Sequence, residues 1–250
     1  MTEDRSVLSR SAPAPDATVR YGPLPEHVAD AWHGDTRAAA RPLVVFVHGG
    51  FWRPEYDRAH THPLAAAIRD AGWTVCSIEY RREPGRPEHT VRDVAEALAA
   101  VPGAVEGHDG RVIVAGHSAG GHLALWAASA APAPGQTGTL ALAPVADLRL
   151  AEELHLDDGA VADFLGAEAA SRADLDPARL PAPAGTTVLL HGLLDEIVPV
   201  AVAEAYTAAH PGSRLVTVPG AAHFAVIDPL SAAWPVVLAE LERLSFPAAV

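Results

Sequence analysis

Ser118 stands in the pentapeptide Gly116-His117-Ser118-Ala119-Gly120, and two residues able to support a serine nucleophile follow it: a carboxylate, Asp195, and an imidazole, His223. A serine hydroxyl is a weak nucleophile at neutral pH and needs an adjacent base. An imidazole can take its proton and later return it to a leaving group, and a buried carboxylate can hold the ring in the required tautomer. The flanking glycines suit a strand-to-helix turn too tight for a Cβ. In such a turn the serine backbone is strained and its hydroxyl projects above the sheet edge. These types together suggest acyl transfer through a covalent intermediate, which also requires donors for a developing oxyanion. The Ala119 N–H at a helix start is one candidate, and the N–H groups of Gly50 and Phe51 in His48-Gly49-Gly50-Phe51-Trp52 are the others.

Other residues compete for these roles. Glu196 and Asp228 are rival acids, and His223 is one of 13 histidines. His117 and His122 flank the serine and are expected to point away from it as packing or helix-surface groups. His48 is expected to brace the Gly-Gly turn through a hydrogen bond. His60-Thr61-His62 has the look of a metal pair, but no third ligand bears a helical or strand relation to it, so no metal site is expected.

Three distant segments must reach one edge for this chemistry to work, and the apolar patterning supplies the means. Leu43–Val47 is a continuous apolar run between Pro42 and Gly49-Gly50, as in a strand buried on both faces. Strand-like runs recur at Trp73–Tyr80, from Arg111, and at Thr139–Ala143, Thr187–His191 and Arg214–Val218. Between them the spacing turns helical: Pro63–Ala71, Thr90–Ala100 with Thr90 as N-cap, a helix from Ala119, Ala160–Leu165, Ala201–His210 and Ser231–Leu244. His27–Trp32 alternates enough for an early antiparallel strand. The alternation predicts an α/β fold, a mostly parallel central sheet with helices on both faces. Ligand groups gather at the carboxyl ends of such strands, and His48, Ser118, Asp195 and His223 each follow a predicted strand.

Composition narrows the partners. With 250 residues, 49% hydrophobic and 20% charged, the chain can build one globular domain, expected over residues 19–250. The polar, Ser/Pro/Ala-containing stretch 1–18 is expected to be a disordered tail, and 148–184 leaves room for a small cap insertion at most. A net charge of −13 without a Lys/Arg block argues against nucleic-acid and anionic-membrane partners. A small-molecule substrate is the expected partner, and the oligomeric state is left open. The single cysteine, Cys76, lies in an apolar run and is expected to be a buried, inert thiol. The first residues lack the apolar core of a secretory signal and no stretch reaches the length of a membrane span, so a cytoplasmic location is expected.

From about Tyr21 to Leu244 these residues resemble the α/β-hydrolase fold. Within it, His48-Gly49-Gly50-Phe51-Trp52 together with Gly116-His117-Ser118-Ala119-Gly120-Gly121-His122 resembles bacterial arylformamidase, also called kynurenine formamidase. That family carries H-G-G-x-W where hormone-sensitive-lipase-type esterases carry H-G-G-G, and Phe51 stands at the third glycine. Glu79-Tyr80-Arg81-Arg82 and the stretch from Gly220 to Pro229 are further similar features. The resemblance implies hydrolysis of N-formyl-L-kynurenine to L-kynurenine and formate, with no cofactor. Phe51, Trp52, Tyr56 and Phe224 would then offer aromatic surface to the aryl ring, with core packing the alternative for each. Arg53 or Arg81 would meet the substrate carboxylate, with surface solvation the alternative. Related carboxylesterases share H-G-G-x-W, so a general small-acyl carboxylesterase is the second expectation. A non-catalytic ligand-binding protein of the same fold is a remote third, because such proteins usually lose one of the three residues and here none is missing.

Overall fold

Runs that are apolar on both faces need cover on both sides, and the computed structural model, which describes residues 3–246, supplies it. In chain order the elements are β1 (Ala17–Arg20), β2 (Val28–Trp32), β3 (Leu43–Val47), α1 (His62–Asp70), β4 (Val75–Ile78), α2 (Pro87–Ala104), β5 (Val112–His117) and α3 (Ala119–Ala130). They continue with β6 (Gln136–Leu142), α4 (Leu148–Glu153), α5 (Ala160–Leu165), β7 (Thr186–Gly192), α6 (Ala201–Ala209), β8 (Arg214–Val218) and α7 (Trp234–Ser245). The strands form one sheet in the order β1-β2-β4-β3-β5-β6-β7-β8. Strand β2 pairs antiparallel with β1 and β4, and every other pairing is parallel. This is an α/β-hydrolase fold.

Alternation along each strand divides the core. Val45, Val47, Val114 and Leu189 share one cluster with Leu98 of α2, Leu123 of α3 and Val202 of α6. Val44, Phe46, Ile113 and Leu190 share the other with Leu64 of α1 and Leu241 of α7. The chain leaves β3 for β4 on one side and returns to β5 on the other, so the crossover direction reverses at β3. That reversal opens a crevice at the carboxyl ends of β3 and β5. Helices α4 and α5 and three short 3-10 turns fill the span between β6 and β7, and bury Leu148, Phe164, Ala169 and Leu175 against the body.

Two expectations need correction. Residues 3–18 are not a disordered tail. Ser6–Ser9 form a 3-10 turn whose Val7, 1% exposed, joins the α1/α7 core cluster, and Ala17 and Thr18 already pair with β2. The physical reason is the apolar pair Val7-Leu8: Val7 is buried in the cluster that holds Leu64 and Ile68 of α1, and Leu8 packs against it. Thr90 is not an N-cap either. Pro87, with its φ fixed in the helical range, opens α2 three residues earlier, and the Thr90 hydroxyl donates to the Arg81 carbonyl at 2.7 Å. Cys76 is fully buried and burial pushes its thiol pKa up. No helix among the described residues is long and apolar enough to cross a membrane.

Candidate active site

Strand β5 and helix α3 meet at Ser118, whose φ of 55° and ψ of −119° lie outside the regions open to most L-residues. Three backbone hydrogen bonds hold it there. Its N–H donates to Leu142 O at 2.9 Å, and its carbonyl accepts from His122 N at 3.0 Å and Val145 N at 3.2 Å. The glycines on either side are sterically required. A Cβ at Gly116 would lie 2.2 Å from Gly120 O, and one at Gly120 would lie 2.1 Å from Val47 O. The turn therefore keeps α3 packed against β3 and β5 with the serine at the crest.

Beside it, the chain leaving β3 runs through Gly50, Phe51 and Trp52 with φ of 111°, 46° and 56°. Arg53 N–H closes this turn onto Gly50 O at 2.9 Å. Among the described residues, the N–H groups of Gly50, Phe51 and Ala119 have no backbone acceptor outside the regular elements. His48 braces the turn as expected. Its Nδ1 lies 2.8 Å from Gly49 O, its Nε2 3.0 Å from Glu79 Oε1, and its ring stacks on Tyr80 with centroids 4.4 Å apart. Burial pushes the Glu79 carboxyl up, but His48, Arg82 and the Tyr80 N–H outweigh it and hold the group at about 2.

The carboxylate and the imidazole arrive from the ends of β7 and β8. Asp195 Oδ1 accepts from Ile197 N at 2.9 Å and Val198 N at 2.8 Å, which turns Oδ2 toward His223 Nδ1 at 2.7 Å. Burial works against the charge on Asp195, but the His191 and His223 rings beside it, with the Val198 N–H, hold its pKa well below the usual carboxylate range. His223 therefore donates Nδ1–H, which leaves Nε2 free to act as a base. Ser118 and His223 face one cavity of about 360 Å³, together with Gly50 and Phe51. Strained serine, oriented imidazole and open backbone donors around one cavity can carry out nucleophilic acyl transfer.

The remaining expected site residues divide. Tyr56 and Phe224 line the cavity. Trp52 does not. It is 3% exposed and stacks on Phe164 of α5, ring centroids 4.5 Å apart, so it ties the helical insertion to the body. Arg53 pairs with Asp157 at 2.8 Å and Asp163 at 3.5 Å, and Arg81 holds both oxygens of Asp93 at 2.8 and 2.6 Å. Neither guanidinium lines the cavity, because each is drawn to a neighbouring carboxylate. Of the rival acids, Glu196 lines the cavity without contacting His223, and Asp228 pairs with Arg10. His122 packs as expected, its Nε2 2.9 Å from Leu175 O.

His117 is a correction. It does not point away from the site but lines the cavity, with Nε2 3.1 Å from His223 O and its ring 4.6 Å from that of His223. Strand alternation explains this: Ala115, two residues earlier, faces the α1/α7 side, which is the side where the His223 loop lies. His60 and His62 diverge, His60 toward the cavity and His62 onto Asp30 at 3.1 Å. Burial lowers the His60 pKa to about 4. A separate group, His27, Asp93 and Glu96, brings one possible ligand atom each within 4.8 Å. Arg81 already neutralises Asp93 there, which fits an ion-pair network better than a metal site.

Sequence reasoning missed three parts of the site. His191 lies 3.3 Å from Asp195 Oδ2, and its place four residues before Asp195 was the available signal. Leu154, His155 and Leu156 form a cavity wall from the insertion, with no local signature. Glu3 accepts from the N–H groups of His223 at 3.2 Å and Phe224 at 3.0 Å, and nothing in a polar terminal stretch announces that contact.

Comparison with known proteins agrees with this fold. The sequence profile of a family described as alpha/beta hydrolase fold matches residues 44–206. Over 161 residues the chain is 33% identical to Esterase LipQ of Mycobacterium tuberculosis, covering 57% of this chain and 38% of that protein. Over 146 residues it is 34% identical to an acetyl-hydrolase of Streptomyces hygroscopicus, covering 52% of this chain and 48% of that protein. These matches thus span less than half the length of either relative. Among solved structures, a phosphonate-inhibited Esterase B from Lactobacillus rhamnosis superposes with a TM-score of 0.77 at 19% identity, covering 96% of this chain and 90% of that one. On the match over residues 44–206 and the sheet and turn described above, the chain belongs to the α/β-hydrolase fold family.

Proposed function

We propose that the protein is a serine carboxylesterase of small acyl esters, with Ser118, His223 and Asp195 as its triad. The observation that carries this reading is His223, held by Asp195 at 2.7 Å and lining the same cavity as a strained Ser118. Ser118 Oγ attacks the ester carbonyl as His223 Nε2 takes its proton, and the imidazolium then protonates the leaving alkoxide. Water repeats the sequence on the acyl-enzyme, releasing the acid and restoring the serine. The N–H groups of Gly50, Phe51 and Ala119 receive the oxyanion, each worth on the order of 3 kcal/mol of barrier lowering. A cavity of about 360 Å³, narrowed by Leu154 and Leu156, suits a short acyl chain. The relatives named as esterases and an acetyl-hydrolase support esters over other acyl compounds.

The aryl-formamide reading comes second. Phe51 in the oxyanion turn favours it, as does aromatic surface from Tyr56 and Phe224 in the cavity. Against it, Arg53 and Arg81, the cations it would use for an amino-acid carboxylate, are committed to Asp157, Asp163 and Asp93. The test is a panel of p-nitrophenyl acetate, butyrate and octanoate beside N-formylkynurenine, run on the wild type and Ser118→Ala. The ester reading expects fast acetate and butyrate turnover, a steep drop at octanoate and loss of activity in Ser118→Ala. Formamide turnover exceeding that of every ester would overturn it.

A further inference from the structure

A base carried on a loop is only as well placed as the main chain beneath it, and a displacement of about 1 Å can cost about 100-fold in rate. His223 sits on such a loop, between β8 and α7. Its main chain is gripped from both sides. The N–H donates to Glu3 Oε2 at 3.2 Å and the next N–H, of Phe224, to Glu3 Oε1 at 3.0 Å. On the other side the His223 carbonyl accepts from His117 Nε2 at 3.1 Å. Burial holds the His117 pKa well below its ordinary value, so this ring is neutral and carries one N–H, committed to that carbonyl. Along the same segment as Glu3, Val7 is anchored in the core, Arg5 lies 5.4 Å from the Phe224 ring, and Arg10 pairs with Asp228 at the far end of the loop.

We infer that Glu3 is a positioning residue for His223, and that residues 3–10 form a strap fixing the histidine loop and closing one wall of the cavity through Arg5 and Leu8. The inference rests on the reading of His223 as the general base. A carboxylate is suited to this task because its two oxygens take two adjacent N–H groups at once. A glutamine presents one oxygen and turns its NH₂ against the other N–H. Removing Glu3 leaves the core anchor at Val7 and the Arg10–Asp228 pair in place, so the fold survives and the loop gains local freedom. The effect falls on catalysis rather than on binding a small ester.

The experiment compares wild type, Glu3→Gln, Glu3→Ala and His223→Ala with p-nitrophenyl acetate, with active sites titrated by an organophosphate and thermal unfolding followed in parallel. Glu3→Ala is expected to lose about tenfold in kcat per titrated site with KM nearly unchanged, a fraction of the loss available to a misplaced base. Glu3→Gln is expected to fall between it and the wild type. Added formate, a free carboxylate, should restore part of the kcat of Glu3→Ala and none in the wild type. Wild-type kcat per titrated site in Glu3→Ala, or a loss that only follows the fraction unfolded and ignores formate, overturns the strap while His223→Ala remains inactive. Full activity in His223→Ala overturns both the strap and the triad reading.

Discussion

Replacing Asp195 by asparagine is expected to abolish catalysis while preserving the fold, and the surrounding hydrogen bonds fix why. Oδ1 accepts from the N–H groups of Ile197 and Val198 at 2.9 and 2.8 Å. An asparagine keeps its carbonyl oxygen there, because the reverse orientation would set NH₂ against two N–H donors and forfeit two bonds of about 1 kcal/mol each. The NH₂ group then faces His223 Nδ1, which Asp195 Oδ2 now meets at 2.7 Å. His191 gives no relief, since its Nε2 lies 2.7 Å from the Val198 carbonyl and donates to it. His223 must accept at Nδ1 and carry its proton on Nε2, and that tautomer cannot take a proton from Ser118. The corresponding change in a serine protease triad costs about 10⁴ in kcat, or about 5.4 kcal/mol of barrier. The assay is steady-state hydrolysis of p-nitrophenyl acetate, with circular dichroism confirming an unchanged fold. A folded Asp195→Asn within about tenfold of wild-type kcat, far above that expected loss, would refute the assignment of Asp195 as the orienting acid.

Other predictions follow from the same contacts. Glu196→Gln, at a cavity-lining acid that does not touch His223, should leave kcat within about twofold, as surface substitutions usually shift energies by less than about 0.5 kcal/mol. Trp52→Ala should destabilise the protein by about 3–5 kcal/mol, read by urea unfolding, because Trp52 is buried and stacked on Phe164 rather than presented to substrate. Acid should unfold the protein partly through Asp30 and Glu79. Burial raises both carboxyls, but His62, Arg58 and Thr18 around Asp30, and His48 and Arg82 around Glu79, hold each at about 2. A depressed folded-state pKa adds stability above the ordinary values of 3.8 and 4.5, and that stability drains as pH falls toward about 2. Urea titrations across this window should show a steep loss for wild type and a shallower one for Glu79→Gln.

Much of the frame was legible because it is written in local patterns. Continuous apolar runs such as Leu43–Val47 exposed the strands, and the glycines around Ser118 announced a turn that steric contacts with Val47 O and Gly120 O now explain. Asp195 and His223 could be proposed because strand ends collect functional groups. Roles that depend on what lies opposite in space were not legible. Arg53 and Arg81 looked available for a substrate carboxylate until Asp157 and Asp93 appeared beside them. Trp52 sat in a motif with oxyanion donors, yet its ring turns to Phe164. Glu3 lies 220 residues from the backbone N–H it receives, a contact with no periodicity to betray it. The substrate falls in this class as well, since cavity walls come from Leu154, His155 and Leu156 in the insertion.

The central claim is that Ser118 is the nucleophile. It is tested most directly by treating the protein with diethyl p-nitrophenyl phosphate while its hydrolysis of p-nitrophenyl acetate is followed, and mapping the adduct by peptide mass spectrometry. A single diethylphosphoryl group is expected on Ser118, accumulating in proportion to lost activity, with neither adduct nor hydrolysis in Ser118→Ala. Ester turnover that persists in Ser118→Ala, or inactivation with the label on another residue, would contradict it.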